Sequence, residues 1–186
     1  MASPVFGFVT QTLYARVSEL KGNLTACGVS PGLACALHCP GPGSATMYSV
    51  VLADDHPLLL RGLQGVLKAA PDFNVLAATA SGVQALSLIS DLRPDLAVLD
   101  VSMPNVGGLA IQRTVLQERL PVKVIFLTAS LTGRQIADAI SMGVWGILLK
   151  EYATEVLLDC MRQVARGEKW LPPELVARAT SAGPCP

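Results

Sequence analysis

The chain has 186 residues, 51% of them hydrophobic and only 15% charged, with a mean hydropathy of +0.47. That composition is rich enough in apolar side chains for a full core and too rich for a disordered chain. Its 14 basic and 14 acidic residues cancel, so no global charge points to nucleic acid or an anionic membrane. No window holds the ~18 consecutive apolar residues that a membrane span needs, and the length fits one domain with appended segments.

Residues 1–46 differ from the rest. The stretch "FVTQTLYARVSEL" is a short helix candidate, with Val9, Leu13 and Val17 on one face. It is followed by "CGVSPGLACALHCPGPGSATM", rich in Gly, Pro, Ala, Ser and Cys and without a sustained period. Residues 1–46 are therefore expected to be a mostly disordered extension. A secretory signal is not matched, because a basic start is missing and the apolar runs are short. The "NLT" at Asn23 would be a glycosylation sequon only in a secreted chain. The five cysteines, Cys27, Cys35, Cys39, Cys160 and Cys185, form neither a CxxC pair nor a regular framework. Cys35, His38 and Cys39 could form half of a metal site, but no second half with ligand spacing follows. Reduced thiols in a cytoplasmic protein are expected.

Met47 precedes the first clear strand and is a candidate start of the functional unit. From there short apolar runs alternate with amphipathic segments of helical period, the pattern of a parallel sheet with crossover helices. The strand candidates are 49–54, 73–79, 95–100, 122–128 and 145–150. Their near-continuous apolar character suits burial on both faces. In the first helix Leu59, Leu63, Val66 and Leu67 fall on one stripe; Leu157, Cys160, Met161 and Val164 repeat it in the last. Ser81 can cap the second helix and Pro94 closes the stretch after it. Right-handed crossovers wrap this (βα)5 pattern into a doubly wound sandwich. The tail from 168 to 186 turns polar and is too short for a further domain.

Ligands of doubly wound sheets bind beyond the carboxyl ends of the strands. Here strand one ends in Asp54 and Asp55, strand three in Asp100, strand four in Thr128 and strand five in Lys150. Three clustered carboxylates repel unless a cation or proton intervenes, and Mg²⁺ is suited to one or two carboxylates plus phosphate oxygens. A carboxylate can also act as a nucleophile and form an aspartyl-phosphate. Mg²⁺, the Lys150 ammonium and the Thr128 hydroxyl would then each answer one phosphoryl oxygen. His56 stands before Pro57, a helix-starting proline, and reads as a capping or surface residue. Trp145 and Trp170 read as packing residues, and Met103–Pro104 as the shape of the turn after Asp100.

The segments "LADDHP", "LDVSMPNVGGL", "VIFLTA" and "GVWGILLKE" together resemble the receiver domains of two-component response regulators, in order and spacing, from about Ser49 to Arg166. "GxxGxLLK" and "GEKWLPPEL" are most similar to the NarL/FixJ subfamily, whose members usually continue into a helix-turn-helix domain. The resemblance implies a CheY-like, flavodoxin-like sheet in strand order 2-1-3-4-5, with a receiver over residues 47–167 and a truncated linker or tail over 168–186. It implies Asp100 as phosphoacceptor, and Asp55, Asp100 and the Ser102 backbone carbonyl as Mg²⁺ ligands. Asp54 would be an outer acid of the metal site, and Thr128 and Lys150 would contact the phosphoryl group. A sensor histidine kinase or phosphotransfer protein is the implied donor. Output through a downstream protein or a weak homodimer is expected, without direct DNA binding or a membrane, because no helix-turn-helix follows.

Two positions depart from the family pattern. Ile147 stands three residues before Lys150, where receivers commonly carry Tyr or Phe as the rotating partner of the Thr. Glu151 follows Lys150 where many receivers have Pro, so no cis X-Pro bond is expected there. One alternative is a phosphorylation-insensitive interaction module, which Ile147 favours and the complete acid, Thr and Lys set opposes. A haloacid-dehalogenase-type phosphohydrolase would need an acid two residues after Asp100, where Ser102 stands. A flavin or nucleotide binder would need a Gly-rich loop after strand one, and none is present.

Overall fold

The computed structural model describes residues 47–181. The helix candidate near Val9, the Asn23 sequon, the Cys35–His38–Cys39 group and Cys185 lie outside the described residues. Five strands alternate with helices: β1 (Tyr48–Ala53), α1 (Pro57–Lys68), β2 (Phe73–Thr79), α2 (Gly82–Leu92), β3 (Leu96–Asp100), α3 (Gly108–Gln117), β4 (Lys123–Thr128), α4 (Gly133–Ser141) and β5 (Gly146–Leu149). A single 3₁₀ turn (Lys150–Tyr152) then leads into α5 (Ala153–Ala165), and α6 (Pro173–Ser181) follows. The sheet is parallel throughout, in the expected order β2-β1-β3-β4-β5.

Alternation along the strands divides the core into two layers. Val50, Leu52, Leu96, Val98, Ile125 and Leu127 meet Leu63 and Leu67 of α1 and Leu157, Met161 and Val164 of α5. On the other face Val51, Leu99, Phe126 and Ile147 meet Ile89 of α2, Ile111 of α3 and Ile136 of α4. Every residue of β3 is buried, Asp100 included. An apolar strand covered on both faces explains its unbroken hydrophobic run. Cys160 lies in the α1/α5 layer, where burial pushes its thiol pKa up to about 12, so it is held as an inert, protonated packing group.

Local chemistry sets the helix ends. Ser81 caps α2 by accepting from the Gln84 N–H, and Arg93 closes it in the left-handed conformation just before Pro94. Thr132 and Gln135 form a capping box on α4. After Asp100 the chain doubles back tightly: a Cβ at Gly107 would lie 2.5 Å from the Val101 carbonyl oxygen, and one at Gly108 would lie 2.7 Å from that of Asp100. The glycine pair therefore lets α3 begin directly beside the end of β3.

The segment after α5 does more than trail away. Trp170 bridges to β5, donating its N–H to the Trp145 carbonyl at 2.8 Å and accepting from the Ile147 N–H at 3.0 Å. The rings of Trp145 and Trp170 pack, partly buried, on the α1/α5 layer, as packing residues should. Pro173 then starts α6, whose Leu175 is only 4% exposed and joins the Phe126–Ile147 layer beside α4. Arg178 donates to the Leu131 carbonyl at 2.6 Å. A helix of nine residues is marginal alone; packing against the domain is what sustains it.

Candidate phosphoryl and metal site

The side chains of Asp54, Asp55, Asp100 and Lys150 meet at the carboxyl edge of the sheet. Asp54 and Asp100 are both 1% exposed. Lys150 Nζ lies between them, 2.8 Å from Asp100 Oδ2 and 3.1 Å and 2.9 Å from the two oxygens of Asp54. Its directed bond goes to Asp54 Oδ1, so Asp54 Oδ2 has a charge partner but no hydrogen bond of its own. Burial works against the lysine charge, but hydrogen bonds to Asp100 and Asp54, and their negative charges, outweigh it and raise its pKa above the ordinary lysine value. The ammonium is thus a fixed counter-ion for two buried carboxylates.

Backbone donors hold one oxygen of each acid. The Ser102 N–H donates to Asp100 Oδ1 at 3.0 Å and the His56 N–H to Asp54 Oδ1 at 2.8 Å. Both acids therefore make the two-residue turn typical of Asp at a strand-to-loop junction. Asp55 is partly exposed beside them. Asp54, Asp55, His56 and Asp100 each offer a ligand atom within 4.8 Å of one another, a group that could hold a metal ion. Two nearly fully buried carboxylates with one adjacent acid, and only one ammonium to offset them, are a donor set that fits a hard divalent cation.

His56 lies at the surface as expected, its side chain 67% exposed, but it corrects the capping half of that expectation. It occupies the residue before α1, yet its side chain makes no capping hydrogen bond. Instead Nδ1 faces the acids, 2.8 Å from Asp55 Oδ1, 3.3 Å from Asp54 Oδ1 and 3.3 Å from Lys150 Nζ. Pro57 at the helix start lacks an N–H, which removes one of the donors a cap would serve. The Asp-Asp-His run at a strand end was the available signal in the sequence.

Thr128 and Ile147 do not join the cluster. The Thr128 side chain is fully buried and donates to the Ser130 carbonyl at 2.8 Å, along its own loop. Ile147 is also fully buried, in the layer that contains Phe126, Leu131, Ile136 and Leu175. The acids and Lys150 are therefore assembled, while the hydroxyl at the end of β4 is turned to other work.

Comparison with known proteins defines the class of this architecture. The response regulator receiver domain matches residues 50–162, more than half of the chain. The chain belongs to that family, the receiver domains of two-component regulatory systems. It is similar to the nitrate/nitrite response regulator protein NarL of Escherichia coli, 32% identical over 120 residues, which cover 64% of this chain and 56% of the relative. It is 34% identical over 125 residues to the nitrate/nitrite response regulator protein NarP of the same organism, covering 67% of this chain and 58% of the relative. The solved signal receiver domain of a NarL response regulator from Mycobacterium tuberculosis matches with a TM-score of 0.63 at 30% identity, over 66% of this chain and 98% of that one. The chain spans about half the length of the curated relatives it matches. These relatives are response regulators, not classical enzymes, and among the described residues no helix is long and apolar enough to cross a membrane.

Proposed function

We propose that the domain takes a phosphoryl group from a sensor histidine kinase or phosphotransfer protein onto Asp100 and signals through protein contacts. The observation that carries this reading is the Lys150 bridge between the buried carboxylates of Asp54 and Asp100. An Asp100 carboxylate oxygen attacks the phosphorus, an O–P bond forms, and the N–P bond of a phosphohistidine breaks. The departing imidazole takes up a proton. Later attack by water on the phosphorus cleaves the O–P bond, returning the carboxylate and releasing inorganic phosphate. These two steps are self-modification and its reversal, so the chain needs no enzyme activity toward other substrates.

Charge is the obstacle to bringing a phosphoryl dianion to this pocket. Lys150 offsets one charge and stays protonated through the reaction. Asp55, Asp100 and the Ser102 carbonyl would hold Mg²⁺, with Asp54 in support. When bound, that ion supplies further neutralisation of the phosphoryl oxygens. Thr128 would reach the phosphoryl group by exchanging its bond to the Ser130 carbonyl for one to a phosphoryl oxygen. With no acid at position 102, the haloacid-dehalogenase alternative lacks its proton-transfer partner.

The test is acetyl phosphate with Mg²⁺, read by intact-protein mass. One added phosphoryl group is expected, acid-stable only briefly, and Asp100→Asn should abolish it while retaining the fold. An undiminished mass shift in that variant would overturn the assignment. We further propose the boundaries 47–167 for the receiver, 1–46 for an extension and 168–186 for a linker or tail. A chain beginning at Met47 should still take up phosphoryl. Direct DNA affinity is not expected of this zero-net-charge chain. Salt-sensitive nanomolar binding to duplex DNA, with the steep slope that phosphate contacts impose, would contradict that.

A further inference from the structure

We infer that His56 is a nitrogen ligand in the Asp54–Asp55–Asp100 pocket and biases it toward divalent ions of the first transition series over Mg²⁺. The inference rests on the metal reading above and deepens it.

The geometry carries it. Ligand atoms of all four residues lie within 4.8 Å of one another. Opposite ligands of a six-coordinate ion stand about 4.2 Å apart and adjacent ones about 3 Å, so the group is close enough to draw together around one ion. The His56 ring is placed for this by its backbone. Its own N–H is tied to Asp54 Oδ1 at 2.8 Å, and Pro57 fixes the direction in which the chain leaves. The imidazole leaves α1 uncapped and turns Nδ1 to the acids, 2.8 Å from Asp55 Oδ1, with Lys150 Nζ 3.3 Å away. Its side chain is 67% exposed, so the ring can adjust to an incoming ion without repacking the core.

The chemistry gives the consequence. An all-oxygen set suits Mg²⁺, which resists losing its water shell. Imidazole contributes little to such an ion but adds affinity for borderline cations, rising along the series from Mn²⁺ to Cu²⁺. A pocket of three carboxylates and one imidazole therefore discriminates by nitrogen. The metal chosen would set how strongly the phosphoryl oxygens are polarised, so His56 acts as a specificity-determining residue of the site.

The experiment uses the full chain, wild type against His56→Asn and His56→Gln, with Mn²⁺ and Ni²⁺ as probes. Electron-spin-echo modulation from bound Mn²⁺ should show a directly coordinated ¹⁴N in wild type and lose it in both variants. His38 is the only other histidine, so the loss assigns the signal to His56. Calorimetry should show Ni²⁺ affinity falling about tenfold or more, the scale on which even outer partners of a ligand matter, while Mg²⁺ affinity is unchanged. Asp55→Asn identifies the component of binding that belongs to this pocket. Equal Asp55-dependent affinities in wild type and variants, without ¹⁴N modulation, would overturn the inference and leave the metal reading standing. No Asp55-dependent binding of any of the three ions would overturn both.

Discussion

The carboxyl ends of β1 and β3 differ in kind from those of β4 and β5. At the first pair the polar groups converge: Asp54 and Asp100 are buried, held by backbone N–H donors and bridged by Lys150. At the second pair Lys150 reaches into the pocket, but the other bonds lead away from it. Thr128 holds the Ser130 carbonyl, Leu131 offers its carbonyl to Arg178, Ile147 donates to the Trp170 carbonyl, and Leu175 seals the layer behind. One half of the edge is arranged for chemistry in advance. The other half is fastened to the segment that follows α5. On the proposed function, phosphorylation of Asp100 would be read as an exchange of bonds in the β4–β5 half.

Lys150 is the residue through which β5 reaches the acids, and cutting that link should have the largest effect. Lys150→Met leaves two buried carboxylates without their cation. Breaking a buried ion pair from one side costs about 3 kcal/mol or more. Urea unfolding in the presence of EDTA should register that loss, and Asp54→Asn in the same background should recover part of it. A Lys150→Met protein as stable as wild type would mean that solvent, not the lysine, screens the acids.

The fastening of the other half is tested by Leu175→Ala. Removing a buried Leu side chain costs about 2 kcal/mol at the lower end of the observed range. Amide exchange should localise the loss to 173–181 and to the Trp170 bridge, with β1 and β3 still protected. Loss of protection across the whole sheet would show that α6 is part of the cooperative core rather than a segment laid upon it.

A smaller effect is expected from the switch itself. A ligand shifts an equilibrium only by its differential affinity for two states. Thr128 must leave the Ser130 carbonyl to meet a phosphoryl group, and Ile147, buried on the neighbouring strand, is β-branched and stiff at χ1. Ile147 has no ring to swing, so the coupling should lie near the low end of the usual range, about 1 kcal/mol. Beryllofluoride, a phosphoryl mimic, should then change exchange only modestly over 129–150, and Ile147→Tyr should enlarge the change. Strong protection changes in wild type, with nothing added by Tyr, would defeat this account.

What could be read from the sequence follows the same division. The sheet was legible because each strand is an apolar run buried on two faces, and β3 is buried at every residue. The acids and Lys150 were legible because a charged residue closing such a run has few places to go except the strand-end pocket. α6 was not, because Leu175 is its one buried residue and tertiary packing, rather than a local pattern, holds it. The His56 ring and the Thr128 hydroxyl were not legible either. A residue's place in the chain locates its backbone, but rotamers decide whether a side chain caps a helix, faces an acid or bonds its own loop.

The smallest expected effect belongs to the other link across the sheet, at its opposite end. Arg162 of α5 donates from Nε to Asp72 Oδ2 at 2.6 Å and from Nη2 to Asp72 Oδ1 at 3.2 Å, just before β2. The geometry is two-pronged, as in Lys150's contacts with Asp54, but the setting is wet. The two side chains are 40% and 31% exposed, against 12% for Lys150 and 1% for Asp54. Hydrogen bonding from Arg162 holds the Asp72 carboxyl below its ordinary value of 3.8, even though burial pushes the other way. A depressed acid contributes stability above its unfolded pKa and loses it as pH falls through the folded one. The contribution should therefore be complete at neutral pH and vanish only well below pH 4. Solvent screening limits it to about 0.5 kcal/mol. A double-mutant cycle with Asp72→Asn and Arg162→Met, followed by urea unfolding from neutral to strongly acidic pH, should give that coupling at neutral pH and none at the acid end. A coupling as large as that of Lys150, or one that persists below the folded pKa of Asp72, would mean that burial does not set the difference between the two links.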